Sequence, residues 1–497
     1  MKNCTAATLG LATLVSSFGV GLIKRISPPL GEIAELIRDF RRSDPTPTST
    51  HQFETQLQIR LRQLGRAILE WVLNHIEPES SREMPPWVLF HGEYYSRSLS
   101  KTPNRYLSTL FGTITLWRYW YRPDVGGAGI FPLEIQLGLE CGLTTPALAE
   151  RVAQYTVDST QQTVLKLLRE EHGVKWSVAS LRKVISTVSL AMTPHAPAAQ
   201  KAKLLEWLAQ AEKSRGRHRP TLSVGRDGIF VPIRKDSCYR EAATATISVL
   251  DRAGKRIGTI YLGRMPEEGQ TTLSCQLTSL LDEILKDWTG SLPRLVYVTD
   301  AGHHPREYFD TVLSRMINPR NPRRYLEWTW IVDYYHACQY VSQLAESIFG
   351  PGRDAQAWAA KMRKWLKTKT GGTNRVLHSA AALRKIRGLE GLQKDYDKAY
   401  NYLHKHMHFM NYERYRRKRL PIGSGITEAA CKIVFTQRLK QSGMSWSKWG
   451  GQLVIDLRTI HLSQIWDAVR DDYLKDKPMV MSPTQGSIFV CSAQNAA

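Results

Sequence analysis

The spacing of apolar residues divides the chain into a first part that is mainly helical and a second part that mixes strands with helices. Apolar side chains early in the chain recur at helical spacing, and they include Leu57, Leu61, Leu64, Ile68 and Trp71. Residues 110–121 instead alternate in the manner of a strand, and residues 145–192 return to helical spacing. We therefore predict a mainly helical N-terminal region over residues 30–200 that includes a β-hairpin.

The end of this region has the pattern of a helix-turn-helix. Three helices are predicted, over residues 146–157, 160–171 and 177–187. Ser177 would cap the third helix, which places Arg182 and Lys183 on its exposed side as candidate DNA contacts. An ordinary helical bundle explains the same pattern at least as well. The region is therefore predicted to bind DNA, with both interpretations of its helices left open.

Beyond residue 220 the pattern becomes α/β. The predicted elements are strands over 222–233, 242–250 and 256–262, a helix over 270–288, a strand over 295–299, a helix ending near 316 and a strand over 328–332. This order is that of a ribonuclease-H-like mixed sheet with helices on both faces. We expect the first part of this core over residues 220–336, an all-helical insertion over 337–420 and the last part of the core over 421–470.

The two ends of the chain fit neither pattern. Residues 5–23 are uncharged and follow Lys2, which superficially resembles a signal peptide, but Thr, Ser and Gly dilute the segment and no clear cleavage site follows. A loosely held helix, or a stretch read from an upstream start codon, explains residues 1–29 better than secretion or a membrane span. Residues 478–497 are expected to form a flexible tail.

The composition adds a strong positive charge to this picture. The 497 residues include 68 Lys and Arg against 45 Asp and Glu, a formal net charge of +23. Such a protein is expected to meet a polyanion, most often nucleic acid, although a solvated basic surface gives the same total. The 42% hydrophobic content argues against a disordered or fibrous chain. The seven scattered cysteines contain no CxxC pair, which favours a cytoplasmic protein without a disulfide framework.

Three carboxylates stand out against this basic background. Asp227 lies inside the first predicted strand of the core, and Asp300 ends the fourth. These strands are neighbours in the predicted order, so the two carboxylates would stand side by side and require a cation to balance them. Glu428 follows a Gly-Ser-Gly turn in the first turn of a helix. Oxygen ligands of this kind select Mg²⁺, with Mn²⁺ as a possible substitute. Each acid alone is better explained as a cap, a turn residue or an ion-pair partner, but the three together on these elements are much harder to explain in that way.

The order and spacing of these acids resemble those of the DDE transposases of bacterial insertion sequences, with separations of 73 and 128 residues. Asp333 and His336 form a D-x-x-H sequence similar to the [CD]-x-x-H motif of the Mutator-like group, and we place it on the fifth strand. Residues 423–432 (GSGITEAACK) and 437–446 (QRLKQSGMSW) look like the Kra-type insertion-sequence transposases. The resemblance covers residues 222–469 with specific motifs and 110–184 more loosely.

The resemblance implies a metal-dependent DNA transposase. Asp227, Asp300 and Glu428 would hold two Mg²⁺ ions for in-line phosphoryl transfer, first to water and then to a DNA 3′-hydroxyl. Asp333 and His336 would position the scissile phosphate or a carboxylate, although a structural hydrogen bond explains His336 equally well. The implied partners are double-stranded DNA and a second copy of the chain, in a homodimer or larger assembly on paired DNA ends.

Basic residues just before the acidic turn are further candidate DNA contacts. They alternate with tyrosines in residues 412–419 and comprise Arg414, Arg416, Arg417, Lys418 and Arg419. Arg438 and Lys440 follow in the next predicted helix. Such a run would neutralise DNA phosphates, and a solvated helix face is the less favoured alternative.

Two other functions fit the same sequence. A non-catalytic DNA-binding regulator derived from a transposase would keep the basic surface without cleaving DNA. A structure-specific nuclease with a ribonuclease-H-like fold would cut branched DNA without joining ends.

Overall fold

The computed structural model describes residues 2–234 and 238–482, and the chain divides into two units. Residues 1–191 with 471–497 belong to the first unit, and residues 192–470 form the second. Residues 483–497, most of the expected flexible tail, lie outside the described residues. In the described part of that tail, Met481 pairs with Leu89 through backbone hydrogen bonds of 3.0 Å.

The first unit combines six helices among its described residues with a three-stranded antiparallel sheet. Its elements are α1 (Lys2–Arg42), α2 (Pro47–Asn74), β1 (Trp87–Phe90), β2 (Glu93–Thr109), β3 (Gly112–Pro123), α3 (Pro132–Gln136), α4 (Pro146–Asp158), α5 (Gln161–His172) and α6 (Val178–Met192). The order of the sheet is β1-β2-β3. The predicted hairpin is confirmed as β2 and β3, and β1 is an additional strand that the sequence pattern did not predict.

Helix α2 begins at a strong cap but does not bury the predicted apolar stripe. The Thr46 hydroxyl accepts the N–H of Ser49 at 3.0 Å, while the Ser49 hydroxyl accepts the N–H of Thr46 at 2.9 Å, a reciprocal cap that fixes the start of the helix. Leu61 is 50% exposed. The helix instead buries Leu73 in a cluster with residues of β2 and β3, because the sheet lies on a different side of the helix from the one that the periodicity favoured.

The second unit contains a five-stranded mixed sheet. Its first elements are α7 (Ala196–Lys213), β4 (Thr221–Ile233), β5 (Cys238–Leu250), β6 (Arg256–Arg264), α8 (Thr271–Asp287), β7 (Arg294–Thr299), α9 (His303–Thr311), β8 (Ile317–Asn318), β9 (Asn321–Tyr325) and β10 (Trp328–Val332). The sheet order is β10-β7-β4-β5-β6, in which β4, β5 and β6 are antiparallel to their neighbours in sequence and β7 and β10 run parallel to β4. The architecture is therefore mixed α/β, and the predicted adjacency of the first and fourth strands is confirmed. The short β8–β9 hairpin was not predicted.

Helices follow the last strand to the end of the second unit. They are α10 (Tyr334–Phe349), α11 (Arg353–Thr368), α12 (Gly372–Arg387), α13 (Gln393–His406), α14 (Tyr412–Arg417), α15 (Gly425–Ala430), α16 (Gln437–Leu439), α17 (Lys448–Leu462) and α18 (Trp466–Lys475). A π-helical turn, Cys431–Thr436, joins α15 to α16. The chain turns between α17 and α18 at Gln464, which has a φ of +59°.

Helices cover both faces of this sheet. Alternate residues of β4 point to opposite faces, so Gly225 and Asp227 face α15 while Arg226 faces α8. On the Arg226 face, the ring of Trp207 in α7 occupies the space beside Gly258 of β6. The second unit includes α7 and begins at Met192, whereas the sequence pattern predicted an N-terminal region up to residue 200 and a core from residue 220. No helix in the described part of the chain combines the length and apolarity needed to cross a membrane.

Candidate active site

Three aspartates lie side by side at one edge of the mixed sheet. The last paired residues are Gly225 with Val298 in β4 and β7, and Thr299 with Val332 in β7 and β10. Continuing both parallel registers by one or two residues places Asp227 opposite Asp300 and Asp300 opposite Asp333, because the separations in sequence are the same. The carboxyl ends of parallel strands are where side chains of an α/β sheet meet ligands, so this edge is the candidate site.

Asp227 is partly buried beside two other carboxylates. Its Oδ1 accepts the N–H of Gly228 at 2.8 Å. Burial, followed by the negative charge of Asp300 and with a smaller contribution from Glu428, raises the pKa of Asp227 from 3.8 to about 6. The structure thus brings the three predicted acids close enough for their charges to interact. This carboxylate keeps its ordinary charge at neutral pH only at a free-energy cost, which a cation would remove.

Asp300 is oriented by the loop that follows β7. Its Oδ1 accepts the N–H of Gly302 at 2.9 Å, and Ala301 between them has a φ of +61°. The hydroxyl of Tyr402 donates to the carbonyl oxygen of Asp300 at 2.7 Å. Because Tyr402 lies on α13, the helical segment between β10 and α15 takes part in shaping this edge of the sheet.

Glu428 reaches the site because α15 packs closely on β4. A Cβ on Gly225 would lie 2.0 Å from the Thr427 hydroxyl oxygen, so the absence of a side chain at Gly225 is what permits the approach. The same hydroxyl shares a hydrogen bond of 2.9 Å with Thr246 of β5. Thr427 is thereby buried against the sheet, and the adjacent Glu428 is exposed to solvent at its edge.

Cys431 belongs to this site although sequence reasoning did not identify it. Its Sγ–H donates to Oδ2 of Asp227 at 3.4 Å. Burial, together with the charges of Asp227, Glu428 and Asp300, raises the pKa of the thiol far above its ordinary range. The thiol therefore stays protonated among the three acids. The available signal was its spacing, because Cys431 follows Glu428 by three residues and so shares its helix face.

Asp333 is fully buried and connects two elements of the site. Its Oδ1 accepts the N–H of His336 at 2.7 Å, which caps α10, and its Oδ2 accepts both the N–H and the hydroxyl of Ser424. The Ser424 oxygen also lies 2.9 Å from Oε1 of Glu428. A hydroxyl carries one proton, so Ser424 can donate to only one of the two carboxylates at a time. When the hydroxyl donates to Glu428, the backbone N–H of Ser424 still donates to Asp333, so Asp333 supports the position of Glu428 through Ser424.

The D-x-x-H sequence lies at the start of a helix, which corrects its predicted placement on the fifth strand. β10 ends at Val332, and His336 lies in the first turn of α10. The imidazole packs edge-on against the rings of Tyr340 and Tyr402, with ring centroids 5.3 and 5.6 Å apart. His336 is thus linked to the Asp300 loop through Tyr402.

The basic segment 414–419 follows a tyrosine at the end of β10, and its own backbone reaches the start of β7, where Arg294 donates to the carbonyl oxygen of Lys418. Tyr412 of α14 is fully buried, and its hydroxyl donates to the carbonyl oxygen of Val332 at 2.9 Å. The five predicted DNA contacts of the segment are all exposed, namely Arg414, Arg416, Arg417, Lys418 and Arg419. Only Arg417 among them forms an ion pair within the described residues, at 3.6 Å from Glu413. The tyrosines therefore anchor the segment while its cations remain accessible.

Of the two basic residues in the following helix, only one is accessible. Lys440 is exposed. Arg438 is 1% exposed, and its guanidinium lies 5.0 Å from the centre of the Trp446 ring. This burial contradicts the prediction that Arg438 contacts DNA, because a DNA phosphate cannot reach a guanidinium enclosed in the core.

In the first unit, Ser177 caps α6 as predicted, and the two predicted DNA contacts on this helix are exposed. The Ser177 hydroxyl accepts the N–H of Ser180 at 3.1 Å at the start of α6. Arg182 and Lys183 are exposed on this helix, and Arg182 donates to Oε1 of Gln161 in α5 at 3.1 Å. The two cations are available to a ligand of the first unit.

The start of α9 carries a second group of possible metal ligands. One ligand atom each from His303, His304 and Glu307 lies within 4.8 Å of the others. Two nitrogens and one oxygen suit a transition metal better than Mg²⁺, so this group differs in chemistry from the three acids at the edge of the sheet.

No protein-family model matches the sequence, and no curated protein matches it. The inferences below therefore depend on the geometry and chemistry of the site.

Proposed function

We propose that the protein is a DNA transposase of the DDE type, which cleaves and joins the strands of an insertion sequence by metal-dependent phosphoryl transfer. The observation that carries this proposal is the convergence of Asp227, Asp300 and Glu428 at one edge of the sheet. Burial, and after it the negative charges of Asp300 and Glu428, raise the pKa of Asp227. Carboxylates held this close together repel one another, and a bound divalent cation would offset that repulsion.

The sheet supports a ribonuclease-H-like core for this enzyme. Three antiparallel strands are followed by two strands parallel to the first, in the order β10-β7-β4-β5-β6. Asp227 lies on the first strand of this set, Asp300 follows the fourth, and Glu428 is supplied by a helix packed on the first strand. This is the arrangement that the resemblance to DDE transposases implies.

The donor set fits a hard divalent cation. Asp227, Asp300 and Glu428 would hold Mg²⁺ or Mn²⁺, which when bound supplies positive charge and an activated oxygen nucleophile to phosphoryl transfer. The chain itself holds the acids in place against their repulsion. Backbone N–H groups of Gly228 and Gly302 each occupy one carboxylate oxygen, and Ser424 lies against Glu428.

The chain also supplies exposed positive charge for a DNA strand, on a helix whose first residue reaches the end of β10. Arg414, Arg416 and Arg417 are exposed on α14, whose Tyr412 is hydrogen-bonded to the end of β10. Phosphate contacts of this kind position a duplex without reading its sequence. We propose that the accessible cations hold the DNA so that one phosphate lies among the three acids, and that two copies of the chain act together on paired DNA ends.

The test is cleavage of a plasmid that carries the gene with its native flanking DNA. The purified protein is incubated with Mg²⁺ or Mn²⁺, and strand breaks are mapped at nucleotide resolution. We expect breaks at two matched boundaries around the gene, and we expect Glu428→Gln and Asp300→Asn to abolish them. The matched control is Glu327→Gln, an exposed glutamate outside the site, which should cleave like the wild type.

Other outcomes would identify the two alternative functions. Specific DNA binding that persists in the Glu428→Gln variant, with no cleavage under either metal, would contradict the proposal and favour a regulator. Cleavage confined to branched DNA, without strand joining, would favour a structure-specific nuclease. Boundary cleavage that survives Asp300→Asn would show that the site is assigned to the wrong residues.

A further inference from the structure

A buried cation lies on the face of the sheet opposite the three acids. Arg226 is 2% exposed, and its guanidinium lies 4.6 Å from the centre of the Tyr308 ring. Its Nη1 donates to the Ser274 hydroxyl at 3.0 Å and its Nη2 to Oε1 of Gln270 at 2.9 Å. Both acceptors are neutral. Within residues 2–234 and 238–482, no carboxylate forms an ion pair with Arg226, and its buried Nε–H has no hydrogen-bond partner.

Such a group is costly, because a charge removed from water must be compensated by an opposite charge or by a full set of hydrogen bonds. An aromatic face and two neutral acceptors compensate a guanidinium only in part. The three remaining N–H donors of Arg226 therefore favour an anion nearby.

A polar cavity of about 290 Å³ opens at this residue. It is lined by Arg226, Gly269, Thr271, Ser274, His304 and Glu307, among others. Thr271 and Ser274 belong to the first turn of the 17-residue helix α8, whose N-cap residue Gln270 makes no side-chain cap. Glu267 accepts the N–H of Leu273 at 3.0 Å. The remaining N–H groups at a helix N-terminus attract anions, and phosphate is the commonest.

We propose that this cavity binds a phosphate group, held by Arg226 and by the first turn of α8. Two features that are independent of each other favour an anion here, a buried guanidinium that is only partly compensated and a helix N-terminus. Tetrahedral phosphate oxygens match the several donors of both features. Glu307 faces the same cavity and opposes the binding, which provides a variant with the opposite effect.

The proposed site is separate from the three acids. Arg226 and Asp227 are consecutive on β4, so their side chains point to opposite faces of the sheet. The phosphate would be either a free phosphate or a backbone phosphate of a DNA strand that passes the edge of β4. In both cases it is not the phosphate that reacts, because β4 separates it from Asp227.

The test measures binding of inorganic phosphate to the full-length protein by calorimetry, without divalent cations and at constant ionic strength. We expect saturable binding to the wild type and an increase in its melting temperature relative to chloride. Arg226→Met should lose both. Glu307→Gln should bind phosphate about three- to tenfold more tightly, because it removes a nearby negative charge. The control Asp310→Asn removes the same charge from α9 outside the cavity and should change the affinity less than twofold.

Failure of the wild type to bind phosphate would overturn the proposal, and so would equal affinities of Glu307→Gln and the control. The exposed Glu307 keeps the test decisive even where Arg226→Met does not fold. Competition of phosphate with a short DNA duplex identifies the source. Competition in the wild type that is lost in Arg226→Met indicates a DNA phosphate, and binding without competition indicates free phosphate. None of these measurements requires cleavage, so the phosphate site and the proposed transposase activity can fail independently.

Discussion

At the scale of single residues, the chemistry of the site depends on how each acid is held. Asp227 is partly buried and has a raised pKa, Asp300 is oriented by its own loop, and Glu428 is exposed but lies against Ser424. The fourth acid, Asp333, is buried and accepts hydrogen bonds from two backbone N–H groups and one hydroxyl. We propose that the first three acids bind a ligand and that the fourth supports them.

The raised pKa of Asp227 makes stability dependent on pH. The native pKa of about 6 exceeds the ordinary 3.8, so the native state binds more protons than the unfolded state between these values. The stabilising contribution of protonated Asp227 is therefore fully present below about pH 4 and is lost as the pH rises through about 6. We expect Asp227→Asn to raise the free energy of unfolding at pH 7.5 in EDTA by about 1–2 kcal/mol, less than the full shift would give because the residue is only partly buried.

Urea unfolding at pH 5 and pH 7.5 measures this effect. Asp310→Asn, an exposed aspartate on α9, serves as the control and should change stability by less than about 0.5 kcal/mol. A variant that is less stable than the wild type at pH 7.5 would contradict the free-energy cost assigned here to burial of the Asp227 charge and to its repulsion by the other acids.

The Ser424 hydroxyl positions Glu428. We expect Ser424→Ala to fold and bind DNA normally but to lower metal-dependent cleavage about 10- to 100-fold, with a higher Mg²⁺ concentration needed for half-maximal cleavage. The Ser424 backbone N–H to Asp333 remains in this variant, so the effect isolates the hydroxyl. Ser424→Thr keeps the hydroxyl and should retain most of the activity. Equal activity of the Ala variant across a Mg²⁺ titration would exclude this role.

At the scale of elements, the site depends on the contact between a strand and a helix that are distant in sequence. Gly225 of β4 accepts the close approach of Thr427, and this contact fixes α15 over the sheet. The π-helical turn that follows carries Cys431 toward Asp227 and packs Val434 and Phe435 into a cluster with Val231 and Ile455. π-helical turns often occur at functional sites, and here one joins the Glu428 helix to the core.

Adding a single methyl group to β4 should therefore disturb the site. Gly225→Ala would bring a Cβ to 2.0 Å from the Thr427 hydroxyl and 3.1 Å from its Cβ. We expect a loss of about 1–3 kcal/mol of stability by overpacking, together with a loss of cleavage as α15 is displaced. Thr427→Ala in the same chain should restore part of both.

Gly425→Ala is the matched control for this variant. Gly425 begins α15, and a Cβ there meets nothing within 4 Å, so stability and cleavage should be unchanged. Thermal melting and the plasmid assay measure both quantities. A fully active Gly225→Ala variant would show that the spacing between α15 and β4 does not set the position of Glu428.

At the scale of the whole molecule, the basic residues differ in whether DNA can reach them. The net charge of +23 favours association with DNA at low salt. Individual cations differ, because Arg226 and Arg438 are buried while the cations of segment 414–419 are exposed. Only the accessible cations can contribute to the salt dependence of DNA binding.

Neutralising part of the segment tests its role. We expect Arg416→Gln with Arg417→Gln to weaken duplex binding and to reduce the slope of log K against log salt concentration by up to about 2, close to one unit for each phosphate contact. The control pair is Arg323→Gln with Arg324→Gln, two consecutive exposed arginines on β9. Fluorescence anisotropy over a salt series provides both slopes. Identical slopes for the two pairs would assign the effect to net charge rather than to the segment.

The sequence alone determined the features that depend on local pattern. Alternation and helical spacing predicted the five strands of the mixed sheet and α8 nearly to their bounds, since these patterns follow from which face of each element is buried. The same pattern located Asp227 and Asp300 on neighbouring strands. It predicted the wrong buried side for α2, because that side is set by packing against β2 and β3. It did not predict β1 or the polar β8–β9 hairpin.

The tertiary structure alone decided which distant residues join these acids. Cys431, Ser424 and Tyr402 enter the site through contacts that span many residues. Arg438 leaves the predicted DNA surface because its helix buries that side. Burial and charge also act only after folding, since the pKa of Asp227 and the isolated charge of Arg226 arise from neighbours contributed by other elements. Local pattern sets the elements, whereas long-range packing sets the environment of each functional group.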